Sequence, residues 1–295
     1  MARTPSPLIL PGTRGTPVTS ESKSPARGYN GATARSGERP ALDTSVAHQA
    51  RMYDYWLGGK DNFAADRKAA EEALAAYPGM AYLARANRAF LGRLIRYLAG
   101  EAGIRQFLDV GTGIPTANNT HQVAQEVAPE SRVVYVDYDP VVLSHARALL
   151  TSTPEGATDY IDADLLDPGS ILEKAAHTLD FTEPVAVTML AILHAIGDDE
   201  DPYGIVAKIM EALPSGSYLA ISHLPSDLEP KLAESRDRVN RLSRQQYTHR
   251  SHAEVLRFFD GLEMVEPGLV ELRKWRPTVE GTRLTPGWCG LARKP

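Results

Sequence analysis

From Arg105 onward, short apolar runs alternate with amphipathic stretches of helical length, and this alternation restricts the fold more than any other feature of the chain. QFLDV (106–110), RVVYVD (132–137), a run near Thr158–Ile161, PVAVTML (184–190) and SYLAIS (217–222) read as strands. Helices are expected between them, over about 116–127, 140–150, 169–179 and 202–212. Pro140 opens one of these at the first helical position, where its missing N–H costs nothing. Strands that alternate with helices form a mainly parallel sheet covered on both faces. A polar helical stretch follows at about 228–244, and Ser251-His252-Ala253-Glu254 matches a capping box opening a helix to about Phe259. LEMVEPGLVEL (262–272) and WCGLARK (288–294) read as closing strands, so the sheet is expected to have seven.

Upstream of the first strand the periodicity is helical throughout. Val46, Gln49, Ala50, Tyr53, Trp56 and Leu57 share one face, and Gly58-Gly59 ends that helix. A second helix is predicted over 62–76. A third, over about 80–99, carries the stripe Met80, Leu83, Ala84, Phe90, Leu91, Leu94, Ile95 and Leu98. Asn87 falls on that stripe and must find a partner, because a buried unpaired amide costs about 1–3 kcal/mol. The expected organisation is therefore a helical cap over 41–104 ahead of a ligand-binding domain over 105–295. Residues 1–40 differ in kind: Pro, Gly, Ser and Thr fill 21 of the 40 positions, without apolar periodicity. With six Lys/Arg against two Glu, they read as a disordered basic tail.

Composition narrows the function classes. The net charge of −5 lacks the basic excess of a nucleic-acid binder, and the basic tail leaves the body more acidic still. No apolar run approaches the roughly 20 residues that span a bilayer, and the N-terminus has no apolar signal region, so a cytoplasmic protein without membrane contact is expected. Cys289 is the single cysteine, and no Cys/His cluster suggests a metal.

The segment FLDVGTGIPT (107–116) raises the question of ligand. In an open parallel sheet, ligands sit beyond the carboxyl ends of the strands at the switch point of strand order. Gly111 and Gly113 let the backbone turn sharply there and approach a ligand closely. Asp137 ends the next strand, 24 residues beyond Gly113, where a carboxylate accepts hydrogen bonds from ribose hydroxyls. The dinucleotide fingerprint is broken, because Thr116 stands for its third glycine and Pro115 offers no N–H. Asp109, two positions before the first glycine, disfavours a pyrophosphate and favours a cationic amino or sulfonium group. The turn therefore points to S-adenosylmethionine (SAM) rather than NAD. Asp164, or else Asp162, is placed to accept from the adenine amino group, with a helix cap or a solvated loop carboxylate as the alternative. Thr112 in the turn, Tyr138 beside Asp137, Leu165 beside Asp164 and Leu190 at the end of the fourth strand complete the expected cofactor wall.

After the fourth strand comes LAILHAIGDDEDP (190–202). His194 lies on the ligand side of the sheet, where a neutral imidazole can take the proton of a substrate hydroxyl. His223, just past the fifth strand, is a second candidate. The acidic run Asp198–Asp201 compensates a helix N-terminus.

ARMYDYWLGGKDNFAADR (50–67), RANRAFLGRLIRYLAGEAGIRQFLDVGTGIPTANNTHQVAQ (85–125), VVYVDYDPVVLSHARALL (133–150) and LAILHAIGDDEDP resemble the actinomycete S-adenosyl methyltransferase family formerly classed as a domain of unknown function. The resemblance runs from about Asp43 to the C-terminus. It implies a Rossmann-like class I methyltransferase fold, SAM in the cleft beyond Asp109–Gly113, and N-terminal helices folded over the cofactor. It also implies a lid bearing Tyr53, Tyr55, Gly58, Gly59, Lys60 and Asp61, with Tyr53 and Gly59 among the cofactor contacts. Asn87 and Arg88 are then placed to reach the carboxylate end of SAM or the substrate. His194 takes the place of the base in small-molecule O-methyltransferases, although Ala195-Ile196 stand where Asp-Trp usually follows. The expected activity is SAM-dependent methylation of a hydroxyl on a small molecule. The rival readings are a SAM-binding regulatory protein without turnover and an NAD(P)-dependent oxidoreductase. A nucleic-acid methyltransferase is disfavoured, because no N/D-P-P-Y-type tetrad follows the fourth strand.

Overall fold

A computed structural model describes Met1 and residues 42–149, 151–278 and 285–295. The expected basic tail lies outside the described residues. Residues 41–295 form one compact unit.

The predicted parallel strands are all present: β1 (Gln106–Val110), β2 (Arg132–Asp137), β3 (Ala157–Asp162), β4 (Ala186–Leu190) and β5 (Tyr218–His223). They order as β3-β2-β1-β4-β5, so the order reverses between β1 and β4, and all four pairings are parallel. A final strand, β8 (Trp288–Arg293), runs antiparallel beside β5. Two fragments, β6 (Glu263–Met264) and β7 (Val270–Glu271), pair with its other edge, giving eight strands instead of the expected seven. The extra strand comes from a break within LEMVEPGLVEL, where Pro267 has no N–H for the ladder and Gly268 takes a positive φ of 84°.

Period-two alternation sends β-strand side chains to two separate cores. Leu108, Val134, Val187, Met189 and Ile221 meet helices α6 (Pro168–Ala175) and α7 (Pro202–Glu211) and the segment around Phe258. Phe107, Val133, Tyr135 and Ala220 face α3 (Met80–Gly100) and α4 (Thr120–Val127). Helix α4 starts four residues later than expected. Asn118 takes a positive φ of 59°, which breaks any earlier helix, and the Asn119 N–H donates to Gln122 Oε1 (2.8 Å) at the true start.

The helices before β1 divide between two roles. α3 belongs to the layer that covers the sheet, through Phe90, Leu94, Ile95 and Leu98. α1 (Gln49–Leu57) and α2 (Ala64–Ala76) instead join α8 (Pro230–Asn240), the polar stretch after β5, around Met52, Ala69, Ala70, Ala73 and Val239. Three alanines on one face of α2 let α8 approach closely enough for Ser235 Oγ to donate to the Ala73 carbonyl (3.3 Å). The cap over the sheet's carboxyl edge is thus built from two distant parts of the sequence.

Candidate functional site

The turn after β1 is held by its own neighbours. Gly111 and Gly113 have φ of 76° and 68°, and the Gly111 N–H donates to the Val136 carbonyl at 2.8 Å. A Cβ on Gly111 would lie 2.5 Å from Ile192 Cγ1, so only glycine fits there. Asp109 is buried, and both its oxygens are engaged: Thr120 Oγ1 donates to Oδ2 (2.6 Å) and Thr188 Oγ1 to Oδ1 (2.8 Å). Burial raises its pKa, partly offset by the two hydroxyls. Asp137 accepts from the Gly113 N–H (2.8 Å) on Oδ2, and from the N–H groups of Tyr138 (2.8 Å) and Asp139 (3.1 Å) on Oδ1. The same carboxylate that ends β2 therefore fixes the glycine turn, and burial raises its pKa as well.

These residues wall a cleft beyond the β1–β4 switch point, open to solvent and of about 790 Å³ with that open space included. Tyr53, Arg88, Asp109, Gly111, Thr112, Gly113, Asp137, Tyr138 and Leu190, all expected from the sequence, line it together. Arg88 also ties down the loop beyond the turn, donating to the Ala117 (3.0 Å) and Asn118 (2.9 Å) carbonyls.

Three expected contacts do not reach this wall. Gly59 is glycine because Asp54 packs against it, with Oδ1 lying 1.8 Å from where a Cβ would stand. Asp54 Oδ2 then accepts from the Asp61 N–H (2.9 Å) and Asn62 Nδ2 (2.8 Å), so the distinctive GGKDN block shapes a loop. Leu165 is buried in the core with Ile161 and Ile171. Asp164 lies outside the lining and accepts from the Leu166 N–H (3.0 Å).

A second cavity, of about 710 Å³, adjoins the first, and Gln49, Tyr53, Asn87 and Ala191 belong to both walls. Its lining is mostly apolar, including Met52, Trp56, Met80, Leu83 and Leu272. Helix α1 closes over the junction, where Gln49 Nε2 donates to the Ala191 carbonyl. Asn87 obtains the partners its burial requires: its Nδ2 donates to Tyr53 Oη (3.1 Å), and its Oδ1 accepts from Ser222 Oγ (2.6 Å). Tyr53 Oη in turn donates to the Ala84 carbonyl (3.0 Å).

His194 lines this second cavity and is buried. Desolvation first, then the neighbouring His223, His249 and Arg250, push its pKa well below the ordinary histidine value, so its imidazole is neutral. His223 is different. Arg250 Nη1 lies 3.0 Å from its Nε2, and a guanidinium can only donate, so the ring proton sits on Nδ1 and points to the Leu224 carbonyl (2.8 Å). Both of its nitrogens are engaged, which removes the second candidate base.

Sequence reading missed Arg250, which is almost fully buried. It donates to the Leu193 (2.9 Å) and Ile196 (2.9 Å) carbonyls on either side of His194, and to Asp198 Oδ1 (2.7 Å). The acidic run is thereby explained in part: Asp198 pairs with Arg250, and Asp201 caps α7 by accepting from the Gly204 N–H (3.0 Å). No cluster able to hold a metal occurs among the described residues.

The model of a family described as S-adenosyl methyltransferase matches residues 35–295. The chain belongs to the S-adenosyl methyltransferase family. The structure is also similar to that of a DUF574 family protein from Streptomyces avermitilis MA-4680, with 48% identity and a TM-score of 0.83 over 86% of this chain and 100% of that one. A Thermobifida fusca YX protein described as a candidate methyltransferase is similar at 41% identity and a TM-score of 0.80, over 86% of this chain and 97% of that one. No curated protein matches.

Membership in the S-adenosyl methyltransferase family makes this chain a SAM-dependent enzyme, and sets aside both the oxidoreductase and the regulatory reading. The site suits that cofactor. Its lining carries the carboxylates of Asp109 and Asp137 and no Lys. The Gln49 Oε1 atom on the wall is buried without a hydrogen-bond partner among the described residues. No described helix is long and apolar enough to cross a membrane.

Proposed function

We propose that the enzyme methylates a hydroxyl group of a small molecule, with His194 as the base. The observation that carries this reading is a neutral, buried imidazole on the wall of a largely apolar cavity that shares four residues with the cofactor cavity. Asp137 would accept from the ribose hydroxyls, and Asp109 and Arg88 would face the amino-acid end. Bound SAM supplies an activated methyl group on a sulfonium. The chain's own contribution is alignment, exclusion of water and removal of one proton. The Tyr53–Asn87–Ser222 chain holds the residues the two cavities share and fixes the wall against which an acceptor would lie. A neutral His194 can accept the hydroxyl proton, whereas a protonated one could not. The apolar lining of the cavity and the net charge of −5 support a small acceptor over a nucleic acid.

The test is methyl transfer from SAM to a panel of phenols, alcohols, amines and thiols, followed by mass spectrometry. Transfer to oxygen is expected, and His194→Asn should lower kcat by roughly 10²–10⁴-fold while leaving SAM binding intact. Transfer to nitrogen or sulfur alone, or a His194→Asn variant with unchanged kcat, would overturn the assignment.

A further inference from the structure

The wall of the second cavity contains one residue with a permanent charge. Three histidines line it, but burial lowers the pKa of all of them: His194 lies well below the ordinary value, and His223 and His249 are both pushed down to about 3. They are uncharged near neutrality. Arg236 of α8, half-buried, is the remaining ionisable group of the lining that is charged there. Its Nε (2.9 Å) and Nη2 (2.8 Å) both donate to Asp237 Oδ1, which occupies one edge of the guanidinium. Nη1 makes no hydrogen bond among the described residues, so the outer edge keeps one N–H of Nη1 and the second N–H of Nη2 free. A free guanidinium edge presents two parallel N–H groups, the geometry that matches a carboxylate. The competing Asp237 lies outside the cavity lining and its side chain is more than half exposed, so that neighbouring pair is weak and leaves the cation available.

We infer that the acceptor is an apolar, hydroxylated molecule bearing a carboxylate, and that Arg236 on the rim of the acceptor cavity selects it by that carboxylate while the hydroxyl is turned to His194. This rests on the O-methylation reading and adds the substrate class. An apolar cavity binds a ring or chain without orienting it, because the hydrophobic effect has no direction. A single cation and the neutral His194 imidazole on the same lining fix two points of the acceptor, and so choose which hydroxyl meets the base.

The test uses paired probes: hydroxylated aromatic carboxylic acids and their primary amides, which keep shape and hydroxyl but lose the charge. Binding is measured by calorimetry on enzyme saturated with S-adenosylhomocysteine, and turnover with SAM. Wild type should prefer the acids by about tenfold or more, the scale of a charge-assisted hydrogen bond. Arg236→Gln should collapse the acid-to-amide ratio toward one, and Arg236→Lys should restore part of it. Equal binding of acids and amides by wild type, or an Arg236→Gln variant that keeps the ratio, would overturn the inference. So would a methyl ester as the product, since the carboxylate would then sit at the cofactor. Preferential acid binding without methyl transfer to the hydroxyl would support the Arg236 contact and defeat the O-methylation reading instead.

Discussion

Gly111 and Gly113 sit two residues apart in the same turn with nearly equal φ of 76° and 68°, yet alanine at the two positions should behave differently. Forcing a side chain into the left-handed region costs about 1–2 kcal/mol at either site. At Gly113 nothing is added, because the nearest atom to a new Cβ is Ala50 Cβ at 3.9 Å, an ordinary contact. At Gly111 the new Cβ would stand 2.5 Å from Ile192 Cγ1 and 2.7 Å from Ile192 Cβ. A Cβ cannot rotate away, so the β4 loop or the turn must move, an overpacking cost of about 1–3 kcal/mol. Gly113→Ala should therefore lose about 1–2 kcal/mol and Gly111→Ala about 2–5 kcal/mol, read from urea midpoints at constant slope. Movement of the turn should also weaken S-adenosylhomocysteine binding more in Gly111→Ala than in Gly113→Ala. In the double variant Gly111→Ala/Ile192→Gly, which removes the Ile192 Cβ as well as its outer carbons, the steric part should be recovered and the φ part retained, giving a favourable coupling of about 1 kcal/mol or more. Equal losses in the two single variants, or no coupling to Ile192, would refute the steric argument.

Two further outcomes follow from the buried histidines and the arginine behind them. His223 and His249 have folded-state pKa values pushed down to about 3, below the unfolded value near 6.5, so the unfolded chain binds their protons first as pH falls. Their contribution to stability is complete above pH 6.5 and drops by up to about 1.4 kcal/mol per pH unit for each histidine from there down to about 3. Asp109 and Asp137, raised by burial, act in the opposite direction at the acid end. Urea midpoints at pH 7, 6 and 5 should show the decline, and His249→Gln should make it shallower while His223 keeps its share; a stability that is level over this range would contradict the burial. Arg250→Met would leave the Leu193 and Ile196 carbonyls and His223 Nε2 without their donor, and should cost about 3–5 kcal/mol by denaturant titration, whereas a change below 1 kcal/mol would show that the guanidinium does not clamp the His194 turn.

Much of this molecule could be read along the chain because its signals are local. The strands β1 to β5 announce themselves by apolar runs, and Asp109, Gly111, Gly113 and Asp137 are found because a turn after a buried strand has few chemical purposes. The expected Gly59 contact comes from the family resemblance and not from a local signal; the partner Gly59 meets is Asp54, five residues earlier in the helix that ends before it. Leu165 and Asp164 sit at the right strand end, but nothing in their spacing says which way the chain turns after β3.

What the chain determined by itself is the alternation of elements, the switch point they create, and the carboxylate pair and glycines at that point. These depend on residues within one or two elements of each other, where periodicity and backbone geometry act directly. Tertiary structure alone decided that α8 completes the cap, that Asn87 answers to Ser222 across 135 positions, and that Arg250 grips the carbonyls flanking a histidine 56 residues before it. Burial then settled the chemistry. It leaves His194 neutral on a cavity wall and engages both nitrogens of His223, although the sequence presents the two alike, because a side chain's charge and free donors depend on what desolvates it and what it meets.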